Sequence, residues 1–136
     1  MKNNSSGILI INKSNQILGC KANGRKDNLH DIPKGKIDEG EDPLDAAIRE
    51  CFEETGLLFF EEELHYCGKF KYLKTKDLHV FIPINKIDID LDKLECLPKL
   101  KSGKMFNEIV GYKLINFDDI DKSFYKSLAP IIKKLI

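Results

Sequence analysis

Gly35-Lys36-Ile37-Asp38-Glu39-Gly40-Glu41-Asp42-Pro43-Leu44-Asp45-Ala46-Ala47-Ile48-Arg49-Glu50-Cys51-Phe52-Glu53-Glu54-Thr55-Gly56-Leu57 joins a turn-rich loop to the clearest helix in the chain. Asp42 suits the N-cap, Pro43 the first helical position, and Gly56 the left-handed residue that ends a helix. Leu44, Ala47, Ile48 and Cys51 recur at i, i+3, i+4 and i+7. They form one apolar stripe for a core. At about 100° per residue, Glu50, Glu53 and Glu54 share a different face, roughly a third of a turn away.

Like charges spaced this way repel by about a few tenths of a kcal/mol per pair, and Arg49 relieves only part of that. A hard dication turns the repulsion into a binding site, because carboxylate oxygens suit Mg²⁺ or Mn²⁺, ions that also hold substrate phosphates. A solvated acidic face is the ordinary fate of such a triple. The upstream loop, Pro33-Lys34-Gly35-Lys36, shifts the balance. Gly35 lets backbone approach a ligand closely, and Lys34 and Lys36 are placed to meet phosphate charge. Neutralising phosphates while activating water is what phosphoryl chemistry needs.

Working outward, Gly7–Asn12 reads as a buried strand, 13–16 as a turn, and Ile17–Lys21 as the return strand of an opening hairpin. Ala22–Asn28 is a polar loop, and Leu29–Ile32 a short strand before Pro33. Past the helix, Leu57–Phe60 and Leu64–Lys71 look extended, and Asp77–Ile84 is a strand whose Pro83 puts its end near a sheet edge. Lys86–Lys104 is charged and poorly periodic, anchored by Leu91, Leu94, Leu97 and Leu100. Glu108–Phe117 alternates as a strand does. Asp118–Ile136 closes the chain as a helix that Pro130 kinks or splits. Two helices and about six strands in mixed order point to a sheet covered by helices.

The 136 residues suffice for one domain with a single core, spanning 1–136. The 22 basic and 22 acidic residues cancel, so no net field indicates nucleic acid or membrane as the main partner. Met1-Lys2-Asn3-Asn4-Ser5-Ser6 lacks the organisation of a leader, and Ile8–Ile11 is too short to span a bilayer. Cys20, Cys51, Cys67 and Cys96 form no C-x-x-C pair and read as buried hydrophobes in a reducing, cytoplasmic setting. The expectation is a cytoplasmic protein with a small-molecule partner.

Gly35, five residues, Glu41, seven residues, then Arg49-Glu50-Cys51-Phe52-Glu53-Glu54-Thr55-Gly56-Leu57 resembles the Nudix box of the Nudix (MutT-like) hydrolases, with all seven fixed positions present. Chance matches at all seven arise on the order of 10⁻⁸ per start site. Cys51 departs from the usual aliphatic residue, but it lies on the core stripe. The resemblance implies an α/β/α sandwich with a mixed β-sheet between helices. It also implies hydrolysis of a nucleoside diphosphate linked to another group, by water attack on phosphorus with one to three Mg²⁺ or Mn²⁺ ions. It assigns Glu50, Glu53, Glu54 and the Gly35 carbonyl to metal, Arg49 to orienting the carboxylates, and Glu41 to a structural partnership with Arg49. Gly56 is the structural helix stop.

The general base has two candidates by the same resemblance: Glu50, or a later carboxylate, for which Glu108 qualifies. Asn107-Glu108-Ile109-Val110-Gly111-Tyr112-Lys113-Leu114-Ile115 is similar to a strand of dinucleoside polyphosphate and RNA-pyrophosphate Nudix enzymes, with Leu114 in place of a tryptophan. Pro33-Lys34-Gly35 and Glu41-Asp42 point the same way, towards diadenosine tetraphosphate or triphosphorylated RNA ends. The leading expectation is a (di)nucleoside polyphosphate; an ADP-ribose or ADP-sugar hydrolase, an RNA 5′-pyrophosphohydrolase and a non-catalytic nucleotide-binding module are the alternatives. The zero net charge gives no footprint for a polynucleotide, and the intact Glu50, Glu53 and Glu54 speak against the module. Tyr66, Phe70, Tyr72 and Tyr112 are candidates to stack on a base, and Arg25, Lys26, Lys34 and Lys36 to face phosphate.

Overall fold

The computed structural model describes residues 3–136. Met1-Lys2, the start of the segment read above as lacking a leader, lies outside them. β1 (Asn3–Ile8), β2 (Gln16–Ala22) and β3 (Lys34–Lys36) precede α1 (Pro43–Thr55). β4 (Leu64–Leu73), β5 (Lys76–Pro83), β6 (Lys99–Lys101), β7 (Lys104–Phe106) and β8 (Ile109–Asn116) follow, then α2 (Ile120–Ser123) and α3 (Ala129–Leu135).

The principal sheet has the order β3-β1-β5-β4. It is mixed: β1 runs parallel to β5, while β1–β3 and β4–β5 are antiparallel. β2 pairs with β8 in a second sheet, and β6 pairs with β7 in a third.

Alternation along residues 8–11 assigns the two faces of the central strand. Ile8 and Ile10 are buried with Leu18, Phe81 and the helix residues Ala47 and Cys51. Leu9 and Ile11 turn the other way, towards Leu78, Val80, Phe124, Leu128 and Ile132. The mixed sheet therefore lies between α1 and the C-terminal helices, an α/β arrangement. Cys51 is fully buried beside Ala47, so a small hydrophobe serves on the stripe. No helix among the described residues is long and apolar enough to cross a membrane.

Several elements differ from the sequence reading. The first strand begins at Asn3, because Asn3–Ser6 pairs with Lys76–His79, a partner no local pattern discloses. Residues 10–12 still turn back on 16–18, with Asn12 Oδ1 accepting the N–H groups of Ser14 and Gln16 at 3.0 and 2.8 Å. However, β1 and β2 belong to different sheets. Lys34–Lys36, read as loop, is an edge strand. β5 lies inside the sheet, and Pro83 sits past the point where its ladder with β1 ends at Ile8–Phe81. The stretch after Lys86 contains the hairpin β6–β7, closed by Ser102 and Gly103 at φ of 52° and 80°. The closing helix is two short helices, with Pro130 in the first turn of the second rather than at a kink.

Candidate active site

The local structure of α1 follows its capping chemistry. Asp42 accepts the Asp45 N–H at 2.8 Å, and Gly56 at φ 79° returns its N–H to the Phe52 carbonyl at 2.8 Å. Arg49 ties the preceding loop to this helix. Its Nε and Nη2 donate to the two Glu41 oxygens at 2.8 and 2.9 Å, and Nη2 also donates to the Lys36 carbonyl at 3.1 Å. Nη1 reaches Glu50 at 2.8 Å and Glu53 at 3.2 Å. Hydrogen bonding from Arg49 draws the Glu41 carboxyl down to about 2, and the same bonds, Glu41 first, lift the guanidinium above its ordinary value.

β3 sits beside the C-terminal half of α1. The Lys34 N–H donates to Glu54 Oε1 at 3.0 Å, and Gly35 leaves the space that the Glu50 carboxylate fills. Glu50 and Glu54 are only 5% and 6% exposed. Desolvation raises both, Glu54 to about 9, against the opposing Arg49 hydrogen bond at Glu50 and the Lys34 N–H at Glu54. Glu108, at the foot of β8, joins them: one carboxylate oxygen from each of Glu50, Glu54 and Glu108 lies within 4.8 Å of the others.

Buried carboxylates forced this close are costly unless a cation neutralises them. The donor set, all hard oxygen, fits a divalent ion of the magnesium type. Glu53, on the same helix face, is not one of these three; its carboxylate is engaged by Arg49 at 3.2 Å and Lys99 at 3.5 Å, cations it shares with Glu50 and Glu108.

Lys99 escaped the sequence reading. Its ammonium stands 3.2 Å from Glu108 Oε1 and 3.5 Å from Glu53 Oε2. Burial works against its charge, but Glu50, Glu108 and Glu53 outweigh that and hold it above the ordinary lysine range. No periodic signal could have found it, since the hairpin that delivers it lies in a charged, irregular stretch.

The expected substrate residues fall into separate places. Lys34 Nζ pairs with Asp31 at 3.0 Å and lies 4.9 Å from the centroid of the buried Tyr72 ring. Tyr72 lines a cavity of about 570 Å³ with Arg25, Asp27, Tyr125 and Lys126. There the Arg25 guanidinium stacks 4.0 Å over the Tyr125 ring and pairs with Asp27 at 2.7 Å. Tyr125 and Lys126 were hidden as members of a supposed helix.

Tyr112 lies elsewhere. Its hydroxyl donates to the Glu54 carbonyl at 2.5 Å, and its ring lines a different cavity of about 600 Å³ with Cys96, Met105 and Asn107. Tyr66 stacks on His79 with centroids 5.9 Å apart and lies tilted against Phe81 at 5.0 Å, and Phe70 packs against the core; neither lines Tyr72's cavity. Lys36 is exposed, contributing its carbonyl to Arg49. Lys26 is exposed in its loop.

Comparison with known proteins fits this geometry. The family model described as NUDIX domain matches residues 1–135. An uncharacterised 17.7 kDa protein of Enterobacteria phage T4 is 33% identical over 125 residues, covering 85% of this chain and 83% of its own. The RNA pyrophosphohydrolase of Pelagibacter ubique is 36% identical over 75 residues, 55% of this chain. The match takes in 48% of that protein's length, so the chain spans about half of this curated relative. Among solved structures, an Ap4A hydrolase of C. elegans superposes with a TM-score of 0.64 at 23% identity, covering 96% of this chain and 94% of that one.

Proposed function

The chain belongs to the NUDIX family and is a Nudix pyrophosphohydrolase, and we propose that it hydrolyses the phosphoanhydride bond of a dinucleoside polyphosphate such as diadenosine tetraphosphate. The observation that carries the reading is the convergence of Glu50, Glu54 and Glu108 beside Gly35, joined through Lys34 to the aromatic cavity at Tyr72. A diphosphate held at the carboxylates would extend its nucleoside towards Tyr72, Tyr125 and Arg25.

A divalent ion, Mg²⁺ or Mn²⁺ in one to three copies, held by Glu50 and Glu54 with Glu53 and the Gly35 carbonyl as further ligands, would offset phosphate charge and polarise a phosphoryl oxygen. Water oxygen bonds to phosphorus, the bridging P–O bond breaks, and the leaving phosphate carries away the electron pair. A carboxylate takes the water's proton. We assign that role to Glu108, whose side chain is 40% exposed while Glu50 and Glu54 are buried and tied to Arg49 and the Lys34 N–H. Arg49 holds the helix carboxylates in register with the loop. Lys34 keeps its ammonium by Asp31, on the nucleotide side of the cleft.

Triphosphorylated RNA is the second reading. It is supported by the likeness to the P. ubique enzyme and by Lys99 on the hairpin beside the site. The free cysteines Cys20, Cys51, Cys67 and Cys96 suit a reducing cytoplasm, where we place the enzyme.

The test is a product screen with Mg²⁺ and Mn²⁺, in which nucleotide and pyrophosphate products are separated and counted, over diadenosine tetraphosphate, nucleoside triphosphates, ADP-ribose and triphosphorylated RNA. The reading expects the dinucleotide to give the highest kcat/KM. A clear preference for RNA moves the assignment to the second reading, and a preference for ADP-ribose removes both.

A further inference from the structure

Two cations face the carboxylates, and the structure uses them differently. Arg49 is committed: Glu41, Glu50, Glu53 and the Lys36 carbonyl occupy its donors at 2.8–3.3 Å. Lys99 has a rotatable ammonium with three donors. Among the described residues it makes two ion-pair contacts, of 3.2 and 3.5 Å, and its side chain is 38% exposed.

Its position is nonetheless set by backbone. The Leu97 N–H donates to the Glu53 carbonyl at 2.7 Å, fixing the segment before Lys99 to the last turns of α1. Across the hairpin Lys99 pairs with Phe106, two residues before Glu108, and Asn23 binds the Glu108 and Asn107 carbonyls at 2.8 and 2.9 Å. The hairpin thus opens at its root onto the carboxylate cluster, with Lys99 at that root. A cation 3.2 Å from Glu108, itself within 4.8 Å of Glu50 and Glu54, stands where an anion drawn to the cluster's metal would arrive.

We propose that Lys99 is a substrate-binding residue of this site, its ammonium leaving Glu53 and Glu108 to bind a phosphoryl oxygen of the incoming diphosphate. This rests on the diphosphate reading above. Without substrate the ammonium offsets the charge of Glu53 and Glu108. With substrate it moves to the phosphate, and Glu108 is released towards the attacking water. An ammonium placed so should do opposite things to the two ligands. It competes with a metal ion for the same carboxylates, but it attracts the phosphate that the metal holds.

The experiment compares wild type with Lys99→Met, Lys99→Arg and Lys101→Met by calorimetry and thermal unfolding. The probes are Mn²⁺ alone and then methylenediphosphonate at saturating Mn²⁺, a non-hydrolysable diphosphate that depends on no choice of nucleotide. Lys99→Met should bind Mn²⁺ roughly twofold or more tightly and methylenediphosphonate about tenfold more weakly. Lys99→Arg should restore diphosphate binding to within about threefold, because it keeps the charge. Lys101→Met, at an exposed lysine of the same strand, should change neither.

Unchanged diphosphate affinity in Lys99→Met overturns the inference while leaving the hydrolase reading intact. Weaker binding of both probes marks a merely structural role, and an equal loss in Lys101→Met marks a diffuse field; either overturns it. If wild type with Mn²⁺ fails to bind methylenediphosphonate, the inference and the diphosphate reading fall together.

Discussion

Glu50 packs its carboxylate against Gly35 so closely that a Cβ at position 35 would stand 2.1 Å from the Glu50 carboxyl carbon. The edge strand β3 and the helix face meet at this contact, and its consequences are unevenly divided between fold and function. Gly35→Ala should cost only about 1 kcal/mol in stability, since the end of a side chain can shift. The shift moves Glu50 off its Arg49 hydrogen bond and out of the carboxylate cluster. Calorimetric Mn²⁺ titration should therefore show metal affinity down by about tenfold or more, with the melting temperature lowered by only about 3–5 °C.

Arg49 and Glu41 link the loop to the helix, and acid should undo that link. The Glu41 carboxyl is depressed to about 2 from an ordinary 4.5, so the unfolded chain takes up a proton there first. Its contribution is fully present above pH 4.5 and is lost as pH falls towards 2. Urea melts between pH 6 and about pH 3 should show a shallower acid loss in Glu41→Gln than in wild type.

Glu54 should give the opposite slope in chelator-treated protein. Burial raises its carboxyl to about 9 from 4.5, so the metal-free native state holds a proton that the unfolded chain releases. Relative stability is full below pH 4.5 and falls as pH rises towards 9. Differential scanning calorimetry in EDTA should show Glu54→Gln gaining on wild type across this range. Mg²⁺ should reverse the order, because the metal requires the deprotonated carboxylate.

Glu108, if it takes the proton from water, should be expendable for substrate binding. Glu108→Gln is expected to lower kcat by about 10²-fold with KM within roughly threefold of wild type. Steady-state kinetics on diadenosine tetraphosphate would check this, and a loss confined to KM would move the base to Glu50.

The helix Pro43–Thr55 and its carboxylate face were legible because periodicity, capping and motif are local properties. Gly35's part was half legible: a close approach was readable, but its partner Glu50 emerges only once β3 lies along α1. β3 itself looked like loop, since its three residues are extended by pairing with β1 and not by any pattern of their own. Lys99 and Tyr125 lie in segments whose structure depends on distant partners, a hairpin that pairs only with itself and a break between two short helices. The aromatic candidates Tyr72 and Tyr112 could not be told apart from spacing, because both alternate on strands. Packing separates them, one beside Lys34 and the other bonded to the Glu54 carbonyl.

Hydrolysis at these carboxylates with a divalent metal is open to a single comparison. Wild type and Glu54→Gln are incubated with diadenosine tetraphosphate and Mg²⁺, and nucleotide products are separated and counted. Wild type should cleave the dinucleotide, with activity abolished by EDTA, and Glu54→Gln should be slower by about 10²-fold or more. Equal rates in the two proteins, or cleavage that survives EDTA, would contradict the account.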